Sequence, residues 1–161
     1  MSGTVTLESA TGSLAQRLVR GALGGIGSGV VFAAVTMWFA STMPDGSATM
    51  PLHMMATIVQ GDGAMAAKTT NPTLGVLVHL VLSAGFGMVF GLLVPRLWSN
   101  PLLAVGGLVY GVLLYVVNFG VLARLAFDTF QAANQPFELL AHAVFGTLLG
   151  FAFLHRESWP V

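Results

Sequence analysis

The chain has 161 residues, of which 55% are hydrophobic and 7% charged, with a formal net charge of zero and a mean hydropathy of +0.83. That composition excludes an ordinary soluble domain, in which about a quarter of the residues carry charge, and the neutral balance without a basic run argues against nucleic acid as a partner. Because cysteine is absent, disulfides, zinc or iron–sulfur thiolate sites, a lipoprotein anchor and covalent haem attachment are all excluded.

Residues 1–16 are rich in Ser, Thr and Gly and read as a mobile N-terminal tail. Four apolar runs follow, at about residues 21–42, 73–94, 102–123 and 137–154. Each is long enough for a bilayer, which needs ~20 helical residues. None shows the in-out alternation of barrel strands, so the runs read as transmembrane helices. The first is longer than the apolar core of a secretory signal and lacks a small-x-small cleavage site, so it reads as a retained helix. Its Gly21, Gly25 and Gly29 recur every four residues, a spacing that puts small residues on one helical face and lets backbones approach closely. Packing within the chain is the plainer use of such a face, and a ligand site is the alternative.

Pro44, Asp45, Gly46 and Pro51 interrupt the helix after the first run. Residues 51–60 then read as a short amphipathic helix, either interfacial or dipping into the bundle, because a structureless connection of this length would be unusual. Five of the eight methionines (Met43, Met50, Met54, Met55 and Met65) fall near His53 in this connection. Thioether and imidazole groups suit copper(I), which makes His53, Met50, Met54 and Met55 a candidate metal set. The plainer reading is that flexible thioethers pack well on an interfacial helix.

Arg96, Trp98 and Pro101 mark the turn after the second span. Arg124 and Asp128 follow the third, and Gln135-Pro136 restarts the fourth. Arg17, Arg20, Arg96 and Arg156 fall on one side of the membrane and Lys68 and Arg124 on the other, which places both termini in the cytoplasm.

The chain also repeats itself. At an offset of 82, Gly24, Gly25 and Gly29 fall on Gly106, Gly107 and Gly111, and Thr36 falls on Asn118. At an offset of 63, His79 falls on His142 and Gly87 on Gly150. These matches predict two helical hairpins of the same topology, as in transporters with parallel repeats. A rival match at an offset of 85 relates Pro51, Ala56, Val59 and Gly61 to Pro136, Ala141, Val144 and Gly146, which would make the short helix a relative of the fourth span.

Depth links the polar residues. Thr36 and Asn118 precede the outer ends of their spans by about six residues, and His79 and His142 follow theirs by about six. At 1.5 Å per residue all four lie ~9 Å inside the outer boundary. Polar groups at such depth face the bundle interior. One use is a hydrogen-bonded clasp, the imidazoles bridging Thr36 and Asn118 with Tyr115 or Ser83, at about 1 kcal/mol per bond. The sharper alternative is bis-histidine ligation of haem b by His79 and His142, with Arg124 or Lys68 near the propionates. Glu138, four residues before His142, is placed to reach this layer. No second acid continues a proton path toward the cytoplasm, and no catalytic motif is present.

The glycine-rich first span (residues 21–29), Met50-Pro51, and the His-then-small stretches 79–87 and 142–150 resemble small four-span bacterial inner-membrane proteins with no assigned activity. The resemblance implies the architecture and an inner-membrane setting and adds no mechanism. Together these features predict an all-α membrane protein that acts without catalysis as a helix-packing partner subunit or homo-oligomer in the lipid bilayer. The expected packing glycines are Gly21, Gly25, Gly29, Gly87, Gly107, Gly111 and Gly150, and no cofactor is the first expectation. A haem b electron-transfer subunit is the alternative; a small transporter or copper-handling protein is the second.

Overall fold

A computed structural model describes residues 13–154 apart from 45 and 98, so the tail residues 1–12, Asp45, Trp98, His155, Arg156 and Glu157 lie outside the described residues. Among the described residues the chain is helical, without strands. The long helices are α1 (Leu14–Thr42), α4 (Pro72–Leu93), α5 (Asn100–Tyr115) and α7 (Gln135–Phe151). Between α1 and α4 lie α2 (Met50–Gln60) and α3 (Asp62–Ala66). A π-helical segment, Val116–Leu122, continues α5 into the single turn α6 (Ala123–Leu125), and a 3₁₀ turn at Asp128–Ala132 leads to α7.

The starts of these helices are written in the sequence. The Ser13 hydroxyl accepts from the Gln16 amide while the Gln16 side chain accepts from Ser13 N–H at 2.9 Å, a capping box. α1 therefore begins at Leu14, and residues 13–16 belong to the helix start and not to the tail. The apolar-run criterion missed this turn because its Gln and Arg are good helix formers outside the hydrocarbon. Asn71, Ser99 and Asn134 cap α4, α5 and α7 through their side chains, each with proline in the first turn, where its missing N–H costs nothing.

Three helical stretches are long and apolar enough to cross a membrane: Leu14–Thr42, Pro72–Arg96 and Asn100–Leu125. The 17-residue α7 rises about 26 Å, just short of a ~30 Å hydrocarbon core.

Helix backbones meet where side chains are missing. A Cβ added to Gly21 would fall on the Gly87 carbonyl oxygen, and one added to Gly25 on that of Ser83, so α1 and α4 are in backbone contact. The α5–α7 pair repeats the device: Gly107 meets Gly146, Gly111 meets the His142 carbonyl, and Gly150 meets that of Leu103. α2 packs on α4 with Gly75 against the Leu52 backbone, which buries Ala56 and Thr57. The short helix is thus docked against α4. α1 also packs along α7, where Phe39 and Phe137 stack at 3.7 Å. At the start of α1, Arg20 donates to the carbonyls of Ala152 (2.6 Å) and Leu154 (3.2 Å), satisfying the C-terminal end of α7.

α4 and α5 are consecutive, yet they meet through side chains. Phe90, Leu103, Leu149 and Phe153 are fully or almost fully buried and fill the end of the bundle near the α4 C-terminus. Tyr110 packs tilted against Phe90, ring centroids 5.3 Å apart, and donates to the Phe86 carbonyl at 2.8 Å. This wedge of aromatic side chains leaves a gap between the helices at the opposite end.

The close approaches predict a position-dependent response to added volume. Gly107→Leu should lower stability by about 3 kcal/mol or more, since the obstructing atoms are backbone. Gly27→Ala and Gly85→Ala, where an added Cβ meets nothing within 4 Å, should be neutral or stabilise by up to about 1 kcal/mol. Unfolding titrations in detergent micelles check both, and equal responses at the two kinds of site would contradict the packing.

Candidate functional site

The gap is a cavity of about 260 Å³, and Thr36, His79, Asn118 and His142 all line it. The four residues chosen by depth are therefore brought together. Their bonding is not the one expected of a clasp.

His79 Nε2 lies 2.8 Å from the carbonyl oxygen of Gly29 on α1. A carbonyl only accepts, so Nε2 carries the proton and Nδ1 presents a lone pair. His142 has the opposite tautomer: its Nδ1 donates to the Glu138 carbonyl at 2.8 Å. That leaves Nε2 as an acceptor, and it faces Asn118 Nδ2 at 3.4 Å. The Thr36 hydroxyl donates back to Ala33 in its own helix at 3.0 Å and bridges neither imidazole. Tyr115 donates to Gln135 at 3.2 Å and approaches His142 only with its ring. The expected cluster is thus reduced to one contact, between Asn118 and His142.

Asn118 sits in the π-helical segment, where the hydrogen-bond ladder widens by one residue; such segments recur at functional sites. The segment also brings Phe119 against His142, ring centroids 5.5 Å apart. Phe32 packs against both imidazoles, at 5.7 Å from His79 and 5.0 Å edge-on to His142. The aromatic lining was missed from sequence, although Phe32 stands four residues before Thr36 and Phe145 three after His142, on the same helical faces.

This arrangement does not fit haem held by two histidines. His79 Nε2 is engaged by Gly29, and Phe32 occupies the space beside both rings. The methionine set lies on the single helix α2. Met54 and Met55 line the cavity, Met50 is 43% exposed, and His53 Nδ1 pairs with the Thr70 hydroxyl at 2.8 Å. Among the described residues no group of three or more His, Asp or Glu is placed to hold a metal ion.

No family model, curated protein or solved structure matches this chain. Its chemistry rests on the cavity itself.

The end of the cavity away from Phe90 is roofed by α2 and by the segment after α6, through Leu52, Met55, Ile58, Phe127 and Phe130. Asp62, at the start of α3, joins the two pieces. Its carboxylate accepts from the backbone N–H of Asp128 and of Thr129, both at 3.2 Å, and from the Thr129 hydroxyl. The Thr129 hydroxyl foremost, with the two amides, holds the Asp62 carboxyl below the usual carboxylate range, against the opposing effect of partial burial. A depressed folded pKa contributes stability that is present above the unfolded value and lost as pH falls through the folded one. Protection of the Asp128 and Thr129 amides from hydrogen exchange should therefore fall in acid, after correction for intrinsic rates. Asp62→Asn should lose about 0.5–1 kcal/mol of that protection at neutral pH, since the latch is partly open to water. Unchanged protection in the variant would contradict the latch.

Proposed function

We propose that the chain is a non-catalytic, four-span inner-membrane protein that binds a small ligand in the roofed cavity on the outer side of the bundle. The observation that carries this reading is the convergence of polar groups from α1, α4, the π segment and α7 on a single cavity. Below it, the bundle is filled by Phe90, Leu103, Leu149 and Phe153. A site with this cross-section suits capture and release from one side. Of the roles open from sequence, the small transporter comes nearest to this reading. The partner-subunit role loses its main argument, because Gly21, Gly25, Gly29, Gly107 and Gly111 face neighbours within the chain.

The topology is supported in three ways. α7 and the turn after it lengthen the short fourth span. The contact pairs of the two hairpins correspond at the offsets found in sequence: Gly25 on Ser83 answers to Gly107 on Gly146, and Gly21 on Gly87 answers to Leu103 on Gly150. That correspondence favours duplication of the hairpin over the rival offset. Arg17 and Arg20 stand at the same end as Arg96, since Gly91 near the end of α4 meets the Arg17 backbone, which favours a cytoplasmic N-terminus.

The chain has no native cysteine, so single cysteines report without background. Gly63→Cys should react with a membrane-impermeant maleimide on intact cells, and Ser99→Cys only after permeabilisation. In lipid nanodiscs, Asn118→Cys should react with a small methanethiosulfonate, whereas Leu103→Cys in the packed half should stay unreactive. An unreactive Asn118→Cys in the folded protein would overturn the binding-site reading.

A further inference from the structure

The polar atoms of the cavity have a sign. Both imidazoles commit their N–H to backbone carbonyls, Gly29 for His79 and Glu138 for His142, so each turns an acceptor nitrogen to its surroundings. The Thr36 hydroxyl has likewise given its proton to Ala33. The Glu138 carboxylate lines the cavity with its side chain only 16% exposed, and it accepts no hydrogen bond from the described residues. It approaches His142 Nδ1 at 3.8 Å, but that proton is directed at the backbone carbonyl. Donors are scarce: the Asn118 amide, already facing His142, and the Ser83 hydroxyl. No lysine or arginine lines the cavity.

A nearly buried acid without a cation either keeps its proton or, once ionised, is stabilised by a cation beside it. Glu138 stands in the first turn of α7, where the helix dipole suits an anion. The Phe32 and Phe119 rings line the same cavity and pack edge-on around the His142 imidazole at 5.0 and 5.5 Å, and aromatic rings attract organic cations over their faces. The volume sets the size. An apolar cavity of about 150 Å³ accepts benzene, so about 260 Å³ accepts one ring with a short substituent.

We propose that the cavity binds a small organic ammonium ion with an apolar body of about one ring, its charge held by Glu138 and the neighbouring phenylalanine rings. The proposal rests on the binding-site reading above and names its ligand class. Inorganic cations are disfavoured by the apolar lining, which cannot replace their hydration.

The test uses the full chain in nanodiscs carrying ¹³C-methyl methionine, with Met54 and Met55 as reporters in the cavity and Met37 as a control. The probes are benzyltrimethylammonium and its uncharged isostere neopentylbenzene, compared at equal concentrations in the lipid phase. The proposal expects saturable shifts of Met54 and Met55 with the cation, at least tenfold weaker binding of the isostere, and at least tenfold weaker cation binding in Glu138→Gln. Equal or tighter binding of the isostere to the wild-type protein would overturn the cation assignment while leaving a ligand site in place. No saturable shift with either probe would overturn both the assignment and the binding-site reading. The wild-type comparison decides the matter even if Glu138→Gln folds poorly.

Discussion

Backbone contact between glycine faces is the constraint on which the rest of the structure depends. In a bilayer there is little hydrophobic drive between helices, so association relies on close packing and interhelical hydrogen bonds. The Gly21, Gly25 and Gly29 face brings α1 onto α4 at carbonyl distance, and Gly107 and Gly111 do the same for α5 and α7. The contact has a chemical result as well as a mechanical one. With no side chain at Gly29, its carbonyl is open to His79 across the helix pair, and that acceptor determines which nitrogen of the imidazole faces the cavity.

The two halves of the bundle differ because the side chains between α4 and α5 differ. Phe90 and Tyr110 fill one end and leave no room below the polar layer. Toward the other end, Ser83, Asn118 and the histidines are smaller than the space between the helices, and α2 with the segment around Phe127 closes the opening. Asp62 then ties those two covering pieces to each other through Thr129. A cavity with a filled floor and a hydrogen-bonded roof follows from residue volumes and from one carboxylate.

Much of this was legible in the sequence. Helical rise put Thr36, His79, Asn118 and His142 at one depth, and all four line the cavity. The four-residue spacing of the glycines identified the contact faces, and the cap-then-proline sequences marked three helix starts. Bonding within the polar layer was not legible. The choice between a side-chain partner and a backbone carbonyl for His79 depends on how near Gly29 comes, which is a tertiary quantity. The π segment was equally hidden, since Val116–Leu122 keeps the apolar character of the span and periodicity does not register one extra residue in the turn. Asp62 and Thr129 are far apart in the chain, and nothing local to either announces the other. The tail boundary failed for a simpler reason: hydropathy locates lipid contact, and helix α1 extends beyond it.

Both imidazoles are neutral, carry opposite tautomers, and turn acceptor nitrogens toward their surroundings because backbone carbonyls take their protons. Nitrogen-15 NMR of the imidazole rings in lipid-embedded protein, assigned with His79→Gln and His142→Gln, tests this most directly. The expected spectrum has a protonated Nε2 and bare Nδ1 for His79, and the reverse for His142. A shared tautomer, or an imidazolium at either position near neutral pH, would contradict it.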